Sequence, residues 1–319
     1  MEQLKELSLE ITQRCPNCCL HCSSLSSMKA KNELPYPLIK RTLWEAKELG
    51  ATTISLSGGE PFMHPKLREI VHYIKNLGMA CFIYTSGLTY INNDYCSILK
   101  DVLEEIKGEV EKLIINIESV NPINYKRIMG TDFNGFTLMQ KSIATAVSLG
   151  FIVEAHLVPM KINYKEILSV IEWCHNIGIS KVSFLRLVLQ GRAMENSNIL
   201  CMNDEQTQKV TSFVNFVSKK GYNLRLGIPF SDCRKKINCF AGTKKINIRY
   251  DGRVFPCEAF KGNQPGIFSK YKIDNIYDNS LIDIYNNSPY LKNVREVIDH
   301  YQNIRTDEPC VNQYYRKNK

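Results

Sequence analysis

Between residues 8 and 188 the chain alternates short apolar runs with segments of helical period. LSLEIT (8–12 at its core), TTISLS (52–57), ACFIYT (80–85), LIINIE (113–118), FIVEAHLV (151–158) and KVSFLRLV (181–188) read as strands. Helices are predicted over 36–49, 66–77, 94–107, 136–149 and 164–177. In the first, Leu38, Ile39, Leu43, Ala46 and Leu49 recur at helical spacing; in the second, Leu67, Ile70, Val71, Ile74 and Leu77 share one face. A helix over 203–219 and a strand, YNLRLG (222–227), follow. Six such units with near-continuous apolar strands need a parallel sheet covered on both faces. The predicted fold class is α/β: a partial (β/α)6 barrel over residues 1–227. Its chemistry is expected at the carboxyl ends of the strands.

Four unusual stretches lie at those ends: CPNCCLHC (15–22), SGGEP (57–61), TSG (85–87) and IES (117–119). The first holds Cys15, Cys18, Cys19 and Cys22. With 44% hydrophobic and 23% charged residues the chain is a folding one, not a disordered one. No apolar run approaches the roughly 18 residues of a membrane span. The start, MEQLKELSLEIT, lacks the pattern of a secretory signal. A cytoplasmic, reducing setting is therefore expected. There, twelve cysteines point to metal or redox chemistry rather than disulfides. The net charge of +9 is dispersed, so nucleic acid is not the expected partner. An acidic electron donor such as flavodoxin or ferredoxin, or an anionic substrate, suits it.

Thiolates hold iron-sulfur clusters, and three of them leave one iron of a cube free for a ligand. Cys15, Cys19 and Cys22 stand as C-x3-C-x2-C. Spacing alone also admits a zinc site begun by Cys15 and Cys18, with Cys19, Cys22 or His21 nearby. SLSGGEPFMHP (55–65) then closes the second strand. Its glycines remove side chains where a ligand could approach the backbone. Glu60 adds an acceptor for a cationic group.

With these motifs, residues 5–230 resemble the radical S-adenosylmethionine (radical SAM) superfamily. The resemblance implies a [4Fe-4S] cluster held by Cys15, Cys19 and Cys22, its open iron chelated by SAM. Gly58, Gly59 and Glu60 match the family's GGE, with Glu60 near the SAM amino group. His21 sits where the family places an aromatic residue beside the adenine. Ser86 matches a third-strand T-x-G motif. Glu118 or Ser119 would meet the ribose, and Arg186 the SAM carboxylate. Cys18 is surplus. The implied chemistry is one-electron cleavage of SAM to methionine and a hydrogen-abstracting 5′-deoxyadenosyl radical.

Past residue 228 the rhythm changes. KKINIRY-DG-RVFP (244–256) reads as a β-hairpin. Cys239 and Cys257 flank it as C-x12-G-x4-C, with Cys233 before and Cys310 near the end. Helices are expected around 280–287 and 289–299. This part resembles the SPASM extension or its half-length form, Twitch. The C-x2-C-x5-C-x3-C run of full SPASM domains is absent. The resemblance therefore implies one auxiliary [4Fe-4S] cluster in residues 228–319, ligated by Cys233, Cys239, Cys257 and Cys310. Zinc is the alternative for this set. Cys81, Cys96, Cys174 and Cys201 read as packing residues. His64, His72, His156, His175 and His300 show no ligand spacing.

The function implied is modification of a ribosomally made peptide: a crosslink, thioether, epimer or oxidation. A radical SAM oxidoreductase or epimerase of a small molecule such as a sugar or nucleotide is the second reading. A non-catalytic electron relay or redox sensor is the third. The first strand begins within ten residues of Met1, so leader recognition is expected from a separate leader-binding protein or from the barrel surface.

Overall fold

The computed structural model describes residues 3–227, 239–262, 266–301, 310–312 and 315. The elements run β1 (Glu6–Thr12), α1 (Tyr36–Glu48), β2 (Thr53–Gly58), α2 (Leu67–Asn76) and β3 (Ala80–Thr85). A hairpin, β4 (Leu88–Ile91) and β5 (Asp94–Ser97), precedes α3 (Lys100–Ile106) and β6 (Lys112–Asn116). Next come α4 (Pro122–Met129), α5 (Gly135–Ser148), β7 (Val153–Leu157), α6 (Ile167–Asn176) and β8 (Lys181–Phe184). Short helices α7 (Arg192–Glu195) and α8 (Ser197–Leu200) lead to α9 (Asp204–Ser218) and β9 (Leu224–Leu226). The C-terminal part holds β10 (Lys245–Ile248), β11 (Val254–Phe255), α10 (Gly266–Ser269), α11 (Leu281–Asn287) and α12 (Pro289–Tyr301).

Among the described residues one nine-stranded sheet runs β11-β10-β1-β2-β3-β6-β7-β8-β9. β1, β2, β3, β6, β7 and β8 are the six expected parallel strands, in chain order. The sheet does not close: β9 forms one edge and the β10–β11 hairpin the other. β10 pairs parallel to β1, Leu7 opposite Ile246 and Leu9 opposite Ile248. The C-terminal part thus extends the sheet of the first part. The boundary expected at 227/228 falls where residues 228–238 lie outside those described.

Alternation along each strand separates two faces. Leu7, Leu9, Ile54, Leu56, Leu113, Ile115, Ala155 and Leu157 pack under the helices in one hydrophobic core. Each fully buried Leu or Ile there contributes about 1.5–3 kcal/mol. The opposite, inner face is polar. Lys112 pairs with Glu154 at 2.7 Å, Lys245 with Glu6 at 3.1 Å, and Arg225 donates to Ser183 at 3.1 Å. His156 packs edge-on against Tyr84, ring centroids 5.4 Å apart. Burial and the cations Arg225, Lys181 and Lys245 push His156 down to about 3, so it is neutral.

Three sequence expectations are corrected. The helix expected at 94–107 starts only at Lys100, because LTYI-NN-DYCS folds as a hairpin. Asn92 and Asn93 take positive φ, 51° and 66°, as a two-residue primed turn demands. The helix α4 was not expected; its signals were Asn121, whose side chain accepts from Ile123 and Asn124 N–H, Pro122, and Gly130 in the left-handed region. The strand expected at 181–188 ends at Phe184.

A buried polar network fastens the C-terminal part to β1. The Lys261 ammonium donates to Glu10 and, at 3.0 Å, to Ser24, whose hydroxyl donates to Glu10 at 2.9 Å. The Gln13 amide donates to Tyr250 Oη at 2.8 Å, and that hydroxyl donates to the Ser24 carbonyl at 3.1 Å. Glu10 and Lys261 are both buried. Lys261→Met leaves a buried carboxylate uncompensated, and a loss of about 3–5 kcal/mol is expected. A lowered unfolding midpoint, partly restored by adding Glu10→Gln, is the outcome to measure.

Candidate active site

The cysteine loop leaves the carboxyl end of β1 and is held from two sides. From one side the end of α4 accepts its amides: Cys18 N–H donates to the Met129 carbonyl at 3.2 Å and Leu20 N–H to Ile128 at 2.9 Å. Gly130 packs so closely that a Cβ would stand 2.4 Å from the Cys18 carbonyl oxygen. From the other side, Arg192 donates through Nε to the Cys19 carbonyl and through Nη2 to Ser26, each at 2.8 Å. Its own N–H reaches the Cys22 carbonyl at 3.0 Å. Sequence reasoning took Arg186 from the LRLVLQGRA stretch and missed Arg192. Arg186 lies two residues beyond β8, half-buried.

Cys15 is buried, Cys19 and Cys22 half-buried, and Cys18 exposed. Burial pushes the Cys15 thiol well above its usual range, with Cys19, Glu60 and Cys22 adding to the rise. Cys19 is raised by burial and by Cys22, against the pull of Arg192. The three thiols therefore feel one another, while Cys18 points to solvent. Among the described residues no three Cys, His, Asp or Glu side chains close to single-ion distances.

The GGE segment meets this loop directly. Gly59 N–H donates to the Thr12 carbonyl at 2.6 Å and Glu60 N–H to Arg14 at 2.8 Å. A Cβ on Gly58 would stand 2.3 Å from the Thr12 oxygen, and one on Gly59 2.0 Å from the Arg14 oxygen. The glycines were expected to admit a ligand; the group they admit is the chain's own backbone. Glu60 is fully buried. It accepts from Thr85 Oγ1 at 2.7 Å, and from Ser86 N–H at 2.8 Å and Oγ at 2.6 Å. Burial outweighs these bonds and pushes its carboxyl up to about 7.

After β6, Glu118 is buried, and its Oε1 lies 3.3 Å from His21 Nε2. Burial lifts Glu118 to about 8, against the Val158 N–H that bonds it; burial and Arg192 lower His21 to about 4. Both are uncharged near neutral pH, so a carboxylic acid faces a bare imidazole nitrogen. Ser119 donates to Glu166 instead of facing this pair.

In the C-terminal part Cys239, Cys257 and Cys310 come together. Burial pushes Cys239 up to about 11, with Cys310 adding to it. Cys257 is raised by burial, then by Glu258, Cys239 and Cys310. Cys233 lies outside the described residues.

Comparison with known proteins gives the family of the chain. The radical SAM superfamily model matches residues 9–196, more than half the chain. The chain belongs to the radical SAM superfamily. The SPASM model, an iron-sulfur cluster-binding domain, matches residues 239–312. This radical SAM enzyme is 24% identical over 294 residues to PqqA peptide cyclase of Gluconobacter oxydans, covering 89% of this chain and 76% of that protein. It is 26% identical over 281 residues to the subtilosin biosynthesis protein AlbA of Bacillus subtilis, covering 88% of this chain and 59% of AlbA. In fold it is similar to Streptococcus suis SuiB, solved bound to its precursor peptide SuiA. The TM-score is 0.74 at 18% identity, over 92% of this chain and 67% of SuiB.

Radical SAM enzymes carry a [4Fe-4S] cluster with SAM, and a SPASM domain brings auxiliary iron-sulfur clusters. The donor set suits such groups. Bare, the buried thiols are held protonated; a coordinating metal reverses that preference. A four-iron cube takes its thiolates at separate corners rather than at one point. Around the loop, both amide atoms of Asn17, His21 Nδ1 and the Tyr125 hydroxyl are buried without a hydrogen-bond partner among the described residues. A buried polar atom left bare costs about 1–3 kcal/mol, so the site is built for a polar occupant.

Proposed function

We propose that this radical SAM enzyme modifies a ribosomally made peptide. Cys15, Cys19 and Cys22 hold the cluster that binds SAM. Glu60 receives the SAM amino group, His21 lies beside the adenine, and Ser86, Glu118 and Arg186 line the rest of the cofactor pocket. Cys233, Cys239, Cys257 and Cys310 hold one fully ligated auxiliary [4Fe-4S] cluster. The observation that carries the site assignment is the docking of Gly59 and Glu60 onto Thr12 and Arg14, which joins the acidic acceptor to the thiol loop. The peptide substrate is supported by what PqqA peptide cyclase, AlbA and SuiB are named for. The charge of +9 supports an acidic reductant such as flavodoxin or ferredoxin.

When bound, the cluster and SAM would supply a hydrogen-abstracting radical through one-electron carbon–sulfur cleavage. The chain's own residues orient and enclose. Glu60, uncharged below about 7 when empty, is drawn to its ionised form by an adjacent ammonium. The uncharged Glu118–His21 pair offers a polar but neutral wall. The polar inner face of the sheet offers hydrogen bonds to a substrate reaching in from the strand ends.

The test is anaerobic incubation of reconstituted protein with SAM, a reductant and a short peptide encoded beside its gene. Release of 5′-deoxyadenosine is expected. The peptide should lose two hydrogens on crosslinking, thioether formation or oxidation, or take deuterium from D2O on epimerisation. Turnover of a sugar or nucleotide with no change in any such peptide would replace the peptide reading. Fully loaded clusters with no cleavage of SAM would leave an electron relay.

A further inference from the structure

Tyr125 is fully buried, and its hydroxyl has no hydrogen-bond partner among the described residues. Buried phenols ordinarily find one. The geometry of α4 gives the direction in which this one is offered. Met129, four residues on and therefore on the same helix face, carries its Sδ 4.0 Å from Cys19 Sγ. The carbonyls of Ile128 and Met129 fix that end of the helix to Leu20 and Cys18. Burial pushes the phenol well above its usual range, and Cys19, then Glu118, Glu60 and Cys15, add to the rise. Phe136 meets the ring edge-on at 5.4 Å and holds it in place. Tyr125 is thus a donor held by Phe136 on the helix face that carries Met129 to Cys19, with no acceptor among the described residues.

We propose that the Tyr125 hydroxyl donates a hydrogen bond to a sulfur of the SAM-binding cluster, on its Cys19 corner, and so eases the cluster's reduction. The inference rests on Cys15, Cys19 and Cys22 being the ligands. A donor at a cluster sulfur stabilises the more negative, reduced state and raises the reduction potential. Tyr125 is then a positioning and tuning residue, not a catalytic one.

Tyr125→Phe keeps the ring and removes only the donor. The readout is a potentiometric titration followed by electron paramagnetic resonance, using the reduced-cluster signal that changes when SAM is added. Iron content should stay at the wild-type value, while the midpoint moves to a more negative potential. Phe136→Leu loosens the same ring and retains the hydroxyl; a smaller shift is expected. An unchanged midpoint in Tyr125→Phe, or an equal shift in Phe136→Leu, overturns the hydrogen bond. Wild-type protein gives a second reading: a solvent-exchangeable proton coupled to the reduced cluster, absent from Tyr125→Phe. A wild type without such a proton overturns the inference without any variant. Failure of the ligand assignment looks different: the SAM-sensitive signal would survive in a variant lacking all three cysteines.

Discussion

Replacing Cys15, Cys19 and Cys22 together by alanine should cut bound iron from about eight atoms to about four, since each cube holds four. Release of 5′-deoxyadenosine should fall to background. The variant is expected to fold, because the loop is fastened by other groups. Its amides reach Met129 and Ile128, and its carbonyls are taken by Arg192 and Asn196. Removing the thiols therefore removes ligands and leaves the loop's anchors. The remaining iron should belong to the C-terminal set of Cys239, Cys257, Cys310 and Cys233. Anaerobically prepared protein holding zinc at the first loop, or keeping its full iron content in the variant, would refute the assignment.

Gly59→Ala should weaken the protein and its hold on SAM together. Gly59 lies outside the positive-φ region, so alanine meets no backbone strain there. The objection is steric alone: the new methyl would stand 2.0 Å from the Arg14 oxygen and 2.7 Å from the Gln13 oxygen. Backbone cannot rotate aside as a side chain can. Relief requires parting the strand end from the loop, which breaks the bonds from Gly59 to Thr12 and from Glu60 to Arg14. Two backbone hydrogen bonds and the overpacking amount to about 2–4 kcal/mol. Since Cys15 follows Arg14 directly, the first thiol and the Glu60 carboxylate separate. A lower unfolding midpoint, weaker SAM binding and reduced iron loading are expected; an alanine variant equal to wild type in all three would contradict the close approach.

The parts of the site that the sequence exposes are those whose chemistry is local. The three thiols of the first loop are neighbours in the chain, so C-x3-C-x2-C can be read directly, and GGE beside a strand is equally compact. The parallel strands are legible for a similar reason, because each is a short run rich in Leu, Ile and Val whose alternate residues enter the core under the helices. What supports the site is not local. Nothing in LRLVLQGRA marks Arg192 as the anchor of the thiol loop; Gly191, whose φ is 55°, brings the segment against the Cys22 carbonyl. Tyr125 reads as an ordinary apolar position until α4 is laid along the loop. Glu10 and Lys261 stand 251 residues apart, and only the sheet brings them together. The hairpin at 88–97 was legible in principle from its Asn-Asn turn, but the apolar spacing that follows resembles a helix.

The pairing of β10 with β1 has a consequence for anyone seeking a smaller version of the enzyme. Trimming after Gly227 would strip a neighbour from the strand that feeds the thiol loop and turn its row of amides into a raw border, open to pairing with another molecule. The auxiliary module is therefore not cargo hung on a finished catalyst. It is the selvedge of the same cloth, closing the edge of the strand from which the thiol loop springs.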